Sequence, residues 1–186
     1  MTALSRRVFA ISAASAAAGL GVAATAQSSV ADEPSPQAAA SLGLSNSNAA
    51  IHQEVVFVAS PGRVYRTLTD ARLFDKVVLL SGAVQEMSLA GAPAVISAVP
   101  GGAFSLFAGY ITGRQIELSP GVRIVQTWRS AAWAPHVYSI ARFELVDDPR
   151  GAKVVFDHTG FPNSDALGLA SGWRKHYWEP MAKVLA

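Results

Sequence analysis

The stretch Gly172–Pro180, GWRKHYWEP, crowds two tryptophans, a tyrosine and a histidine between basic side chains, a glutamate and a proline. It sits inside SDALGLASGWRKHYWEPMAKVLA, residues 164–186. Leu169, Trp173, Tyr177 and Met181 recur every four residues there, with Trp178 and Leu185 near the same stripe. Arg174, Lys175 and Glu179 fall on other faces. A stripe of this period marks an amphipathic helix whose apolar side packs on a second layer. Pro180 interrupts the pattern. It has no amide proton, and its ring meets the carbonyl of His176, so a kink or a helix that ends and restarts is expected there.

The layer that this helix packs on is legible upstream. IHQEVVFVAS, residues 51–60, is rich in β-branched residues and reads as a strand. Ser60 can cap a helix that has Pro61 at its first position. PGRVYRTLTD then places Val64, Tyr65 and Leu68 on one helical face, and ARLFDKVV continues as a second short helix. Strand signals follow in AVQEMSL (83–89), PAVISAV (93–99), GAFSLFAGYITG (102–113), RQIELSP (114–120), VRIVQTWRS (122–130), VYSIARFELVD (137–147) and KVVFDHTG (153–160). Turn residues in AGAP, PGG, SPG and DDPRG separate them, and such even spacing predicts an antiparallel meander. The expectation is an α+β fold: one strand, two short helices, a curved antiparallel sheet, and a long C-terminal helix wrapped by that sheet.

Composition sets the limits. Hydrophobic residues make up 51% of the 186-residue chain and charged residues 15%, enough apolar surface for one core. Cysteine is absent, which excludes disulfides, thiol catalysis and thiolate metal sites. MTALSRRVFAISAASAAAGLGVAATA, residues 1–26, resembles a bacterial twin-arginine export leader. Arg6 and Arg7 form the pair, Phe9 follows, Val8–Ala24 is an Ala/Gly-rich apolar run, and Ala24–Ala26 is a small-x-small cleavage signal. Ala10 and Ile11 depart from the usual Leu-Lys. The expected product is periplasmic or secreted, cleaved near Ala26, with no stable membrane anchor afterwards and a transient partner in the Tat export machinery. Residues 27–50, small, polar and proline-broken, read as a disordered linker, so the folded domain is expected over 51–186. Of 15 basic and 13 acidic residues, two arginines lie in the leader, which leaves the mature chain formally neutral. No basic patch suited to phosphates is visible, and nucleic-acid binding is not expected.

Five pieces, GGAFSLFAGYITG, RIVQTWRSAAW, YSIARFEL, FDHTGFP and GWRKHYWEPMAKVL, occur in an order that resembles the activator of Hsp90 ATPase homologue-like family. The similarity is to the C-terminal-domain type, within the START-like, or SRPBCC, superfamily, and it covers about residues 51–186. It implies a helix-grip fold with a cavity between sheet and terminal helix. It does not imply one activity, because this superfamily includes lipid carriers, receptors, cyclases and co-chaperones. An exported protein would meet neither cytosolic Hsp90 nor ATP.

Strand alternation assigns the cavity-facing rows. Phe104, Leu106 and Tyr110 share a face, as do Ile124, Gln126 and Trp128; Ser139, Ala141 and Phe143; and Val154, Phe156 and His158. A mostly apolar pocket with a few polar groups suits a small hydrophobic molecule. Gln126, Ser139 and His158 would then orient the ligand, with Phe104, Leu106, Tyr110, Trp128, Phe143, Phe156, Trp173 and Tyr177 as walls. The competing expectation is that the polar three bond one another, the backbone or buried water. A cyclase- or isomerase-type enzyme using His158 as acid or base stays open, as does a chaperone-like interaction module. No catalytic residue is assigned. Asp157 and His158 are adjacent and face opposite sides of a strand, and no G-x-S-x-G elbow is present, against a Ser-His-Asp triad. His52, His136, His158 and His176 lack metal-ligand spacing, and no P-loop is present, so neither metal nor cofactor is expected. His136 and His176 read as surface or loop residues and His52 as the solvent side of strand one. Arg129 is expected outside, paired with Glu144 or Asp157.

Overall fold

The computed structural model describes residues 48–88 and 91–186. The expected leader, residues 1–26, and the linker up to residue 47 lie outside the described residues. Strand β1 spans Asn48–Phe57, so the sheet takes in three residues that the sequence assigns to the linker. Helix α1 (Pro61–Thr69) starts as anticipated: the Ser60 hydroxyl accepts from the Arg63 amide, with Pro61 in the first turn. Asp70 caps α2 (Ala71–Ser81) by accepting from the Leu73 amide at 3.0 Å. Val64, Leu68, Phe74 and Val77 are buried by these two helices.

AVQEMSL contributes no strand among its described residues, 83–88. Gly82 ends α2 in a left-handed conformation, φ 67°, and the chain resumes as a helical turn, α3 (Ala83–Glu86). The Ser81 hydroxyl accepts from the Ala83 amide and holds that turn. Over four residues, apolar-polar alternation does not distinguish a strand from one helical turn. PAVISAV contributes only β2 (Val95–Ile96), because the chain turns back through Val99–Gly102. GAFSLFAGYITG is two strands, β3 (Ala103–Leu106) and the start of β4 (Ile111–Ser119). They are joined at Phe107, Ala108 and Gly109, all at positive φ of 50°, 53° and 87°. Left-handed backbone at two non-glycine residues costs roughly 1–3 kcal/mol each. Burial of the Phe107 ring against Phe74 and Tyr177 offsets it.

Strands β5 (Arg123–Ser130), β6 (Ser139–Asp148) and β7 (Gly151–Pro162) complete one antiparallel sheet of order β1-β7-β6-β5-β4-β3-β2. Register aligns the inner rows: Ile124 faces Phe143, which faces Phe156, and Gln126 faces Ala141, which faces His158. Gly113 sits where a side chain would run into the Thr127 carbonyl and the ring of Phe104, so its bareness lets that ring lie across the strand.

The terminal helix runs through α4 (Ala166–Gly172), a π-helical stretch (Trp173–Trp178) and α5 (Glu179–Leu185). It does not end and restart at Pro180; the backbone keeps right-handed helical dihedrals at Gly172, Trp178 and Glu179. The Glu179 amide bonds to the Arg174 carbonyl, five residues back. This wider turn precedes the proline, whose missing donor then falls at the change of hydrogen-bond pattern. It also widens the buried stripe. Residues four and five beyond Trp173 both come beneath it, so Tyr177 and Trp178 are buried together with Met181 and Leu185. The fold is therefore a curved antiparallel sheet gripping a long C-terminal helix, with two short helices after the first strand.

Candidate functional site

The interior of the grip is largely solid. Trp173 lies 4.3 Å from Phe156 and 4.1 Å from Tyr177, centroid to centroid, and stacks on Trp178 at 5.6 Å. Phe143 closes on Phe156 at 4.9 Å. These rings occupy the space that the sequence leaves open for a ligand, at the end of the sheet nearest the first strand.

His158 is part of that packing, fully buried beneath Trp128 and Trp173. Its tautomer follows from its neighbours. The Trp173 indole can only donate, and it donates to Nδ1 at 2.9 Å. Nε2 therefore carries the proton and donates to Ser139 Oγ at 2.6 Å. Ser139 in turn donates to the Trp128 carbonyl at 3.0 Å. Both ring nitrogens are satisfied in the neutral form, and burial pushes the imidazole pKa down from 6.5 to about 3. Gln126 likewise bonds within the protein, donating to Gln115 Oε1 at 3.1 Å. Two of the three polar residues chosen to orient a ligand thus form one internal chain, and the third joins a glutamine pair.

An open cavity of about 410 Å³ lies at the other end of the grip. Trp128, Trp173, Tyr177 and Tyr110, four of the expected wall residues, line it. Phe104, Leu106, Gln126, Ser139, Phe143, Phe156 and His158 do not; all seven are buried, His158 beneath Trp128 and Trp173. The left-handed β3–β4 turn supplies Phe107, the loop after β5 supplies Ala132 and Trp133, and the segment before α4 supplies Ser164 and Asp165. His176, read from the sequence as a surface or loop residue, also lines it. The π-helical stretch turns it inward beside Phe107, at 6.4 Å. Burial lowers its pKa, opposed by the nearby Glu86 carboxylate.

Three polar atoms on this cavity, Trp128 Nε1, Tyr177 Oη and His176 Nδ1, are shielded from solvent and make no well-formed hydrogen bond among the described residues, although the Trp128 indole lies near enough to the Tyr177 hydroxyl to lower its pKa and the Ser81 backbone near enough to His176 to raise its own. Buried polar groups are normally paired, so weak pairing at three atoms on one cavity wall leaves capacity for an external partner. Burial raises the pKa of the Tyr177 hydroxyl and keeps it protonated, as donor or acceptor. Trp133 and Asp165 were not singled out in the sequence. They meet across the cavity mouth, the Trp133 indole donating to the Asp165 carboxylate, which also accepts from Ser164 at 2.9 Å. They lie 32 residues apart on two loops, beyond any periodicity.

On the outer face, Asp157 accepts from Arg142 at 2.7 Å and lies 2.7 Å from His52 Nδ1, opposite in direction to His158. Arg129 does not pair with Glu144 or Asp157. It donates to the Trp133 carbonyl at 2.8 Å, and Arg142 takes both carboxylates.

Comparison with known proteins places this architecture among relatives. A family described as "Activator of Hsp90 ATPase homolog 1-like protein" matches residues 58–186. The mouse activator of 90 kDa heat shock protein ATPase homolog 2 is 25% identical over 144 residues, 77% of this chain and 40% of that protein. The human homolog 1 is 24% identical over 146 residues, 78% of this chain and 40% of that protein. The chain thus spans about two-fifths of the length of the curated relatives it matches. Among solved structures, an HSP90 activator from Plasmodium falciparum superposes with a TM-score of 0.59 at 23% identity, over 74% of this chain and 95% of that one. A Mesorhizobium loti protein gives 0.58 at 19% identity, over 74% and 96%. At these identities the structural likeness speaks to the fold.

Proposed function

Because the chain belongs to the activator of Hsp90 ATPase homolog 1-like family, with its START-like fold, we propose that it uses the helix-grip cavity to bind a small, mainly apolar molecule. The observation that carries this reading is the set of weakly bonded buried atoms, Trp128 Nε1, Tyr177 Oη and His176 Nδ1, on a cavity of about 410 Å³. A ligand oxygen can accept from the indole and the phenol, while the aromatic wall takes its apolar body. His158 has no part in this reading as acid or base: it is sealed, and both its nitrogens are engaged. With the twin-arginine leader of the sequence, the proposed place of action is the periplasm.

Native mass spectrometry of the protein purified from its source organism tests this. The expected result is a co-purifying small molecule, identified after denaturation. Tyr177→Phe should lower affinity for it about 5–10-fold, the value of one hydrogen bond, while stability moves by less than about 1 kcal/mol. A clean apo mass, together with no binding from a panel of aromatic molecules, would overturn the reading.

A second reading, action on an Hsp90-type partner, draws on the names of the curated relatives. It also draws on a groove where exposed Leu79 and Leu80 lie beside Arg63, Arg66 and Lys76. Unchanged chaperone ATPase rate on adding the protein would set it aside.

A further inference from the structure

We propose that the cavity selects its ligand by charge, admitting aromatic molecules that are cationic or neutral and turning away anionic ones. This rests on the small-molecule reading above. Among the described residues, Asp165 is the one carboxylate that lines the cavity, and no lysine or arginine lines it. Its oxygens are held by neutral donors, the Trp133 indole and the Ser164 hydroxyl, so its negative charge is oriented but not neutralised. No ion pair among the described residues includes it. Two bases on the segments that carry the wall are committed elsewhere. Arg129 donates to the Trp133 backbone from the outer side, and Lys175 pairs with Glu86 at 2.8 Å. His176, the remaining basic group on the wall, is held toward its neutral form by burial.

The rest of the wall has the same sign. Trp133, Trp128, Trp173, Tyr177 and Phe107 form a continuous run, with centroid separations of 5.4, 5.7, 4.1 and 5.3 Å. Aromatic faces are negative and attract ammonium groups. A carboxylate at the mouth next to such a wall favours a protonated amine at the entrance and an oxygen acceptor farther in, under Trp128 Nε1 and Tyr177 Oη. An anionic ligand, a fatty acid or phosphate ester, would meet the Asp165 charge with no cation to answer it.

The test uses three probes on one aromatic body: 1-naphthylmethylammonium, 1-naphthylmethanol and 1-naphthaleneacetate. Each is titrated calorimetrically into the full chain at pH 7.5 and low salt. The expected order is ammonium, then alcohol, then carboxylate, with about tenfold or more between first and last. Asp165→Asn keeps an oxygen for the Trp133 indole and should shrink that ratio to about threefold or less. Equal affinities, or tightest binding of naphthaleneacetate, would overturn charge selection and leave the small-molecule reading standing. An unchanged ratio in Asp165→Asn would overturn the assignment to Asp165. Absence of binding by all three would remove the binding reading, and this inference with it.

Discussion

Acid should destabilise this protein through one buried imidazole. In the folded chain His158 has its pKa lowered from 6.5 to about 3 by burial, and its neutral form already satisfies Trp173 and Ser139. In the unfolded chain it titrates near its ordinary value, about 6.5. The folded pKa is depressed, so His158's contribution is fully present above pH 6.5. It is lost as pH falls toward 3, because the unfolded state binds a proton that the native state refuses. The loss is about 1.4 kcal/mol per pH unit, or roughly 4–5 kcal/mol over the whole window. That is a large share of the 5–15 kcal/mol typical of a domain. The measurement is urea denaturation of the wild type and of His158→Gln at steps from pH 7.5 to 4.5. The glutamine retains an acceptor and a donor but no titration. It should be the less stable protein at pH 7.5, yet lose about 2–2.5 kcal/mol less than the wild type between pH 6.5 and 4.5. Shared groups such as His176 cancel in the difference. Parallel stability curves for the two proteins would refute the reasoning, as would a nitrogen NMR spectrum showing His158 protonated near pH 6.

Trp173→Phe removes the indole donor to His158 and part of the stack on Trp178; thermal or urea unfolding should register a loss of about 2–4 kcal/mol. Arg142→Ala removes an exposed arginine that helps lower the Asp157 pKa, and the same assay should show a change of only about 0–1 kcal/mol, since such pairs are solvent-screened. Replacing Arg6 and Arg7 with lysines should retain the precursor in the cytoplasm, read by fractionation and immunoblot; continued export would exclude the twin-arginine route.

Much of the architecture is local and periodic, and such features are legible in a sequence. The four-residue stripe of Leu169, Trp173, Tyr177 and Met181 marks the gripped helix, Ser60-Pro61 marks the start of the first helix, and alternation in β5, β6 and β7 separates inward from outward residues. Every inward residue assigned on those three strands is buried. Short elements are less legible. A single turn such as Ala83–Glu86 has too few residues for its period to show, and the reversal at Phe107–Gly109 uses left-handed backbone at residues that do not advertise it.

The linear chain alone determined the fold class, the inner face of each long strand and the buried side of the terminal helix, because each follows from repeats along neighbouring residues. Only the tertiary structure decided which buried polar groups answer one another and where space remains. The Trp173–His158–Ser139–Trp128 chain joins three strands and a helix. The volume it fills closes one end of the grip, while the cavity survives beside Trp133, Asp165 and His176. Packing and hydrogen-bond pairing across distant segments are properties of the assembled core, and no local pattern encodes them.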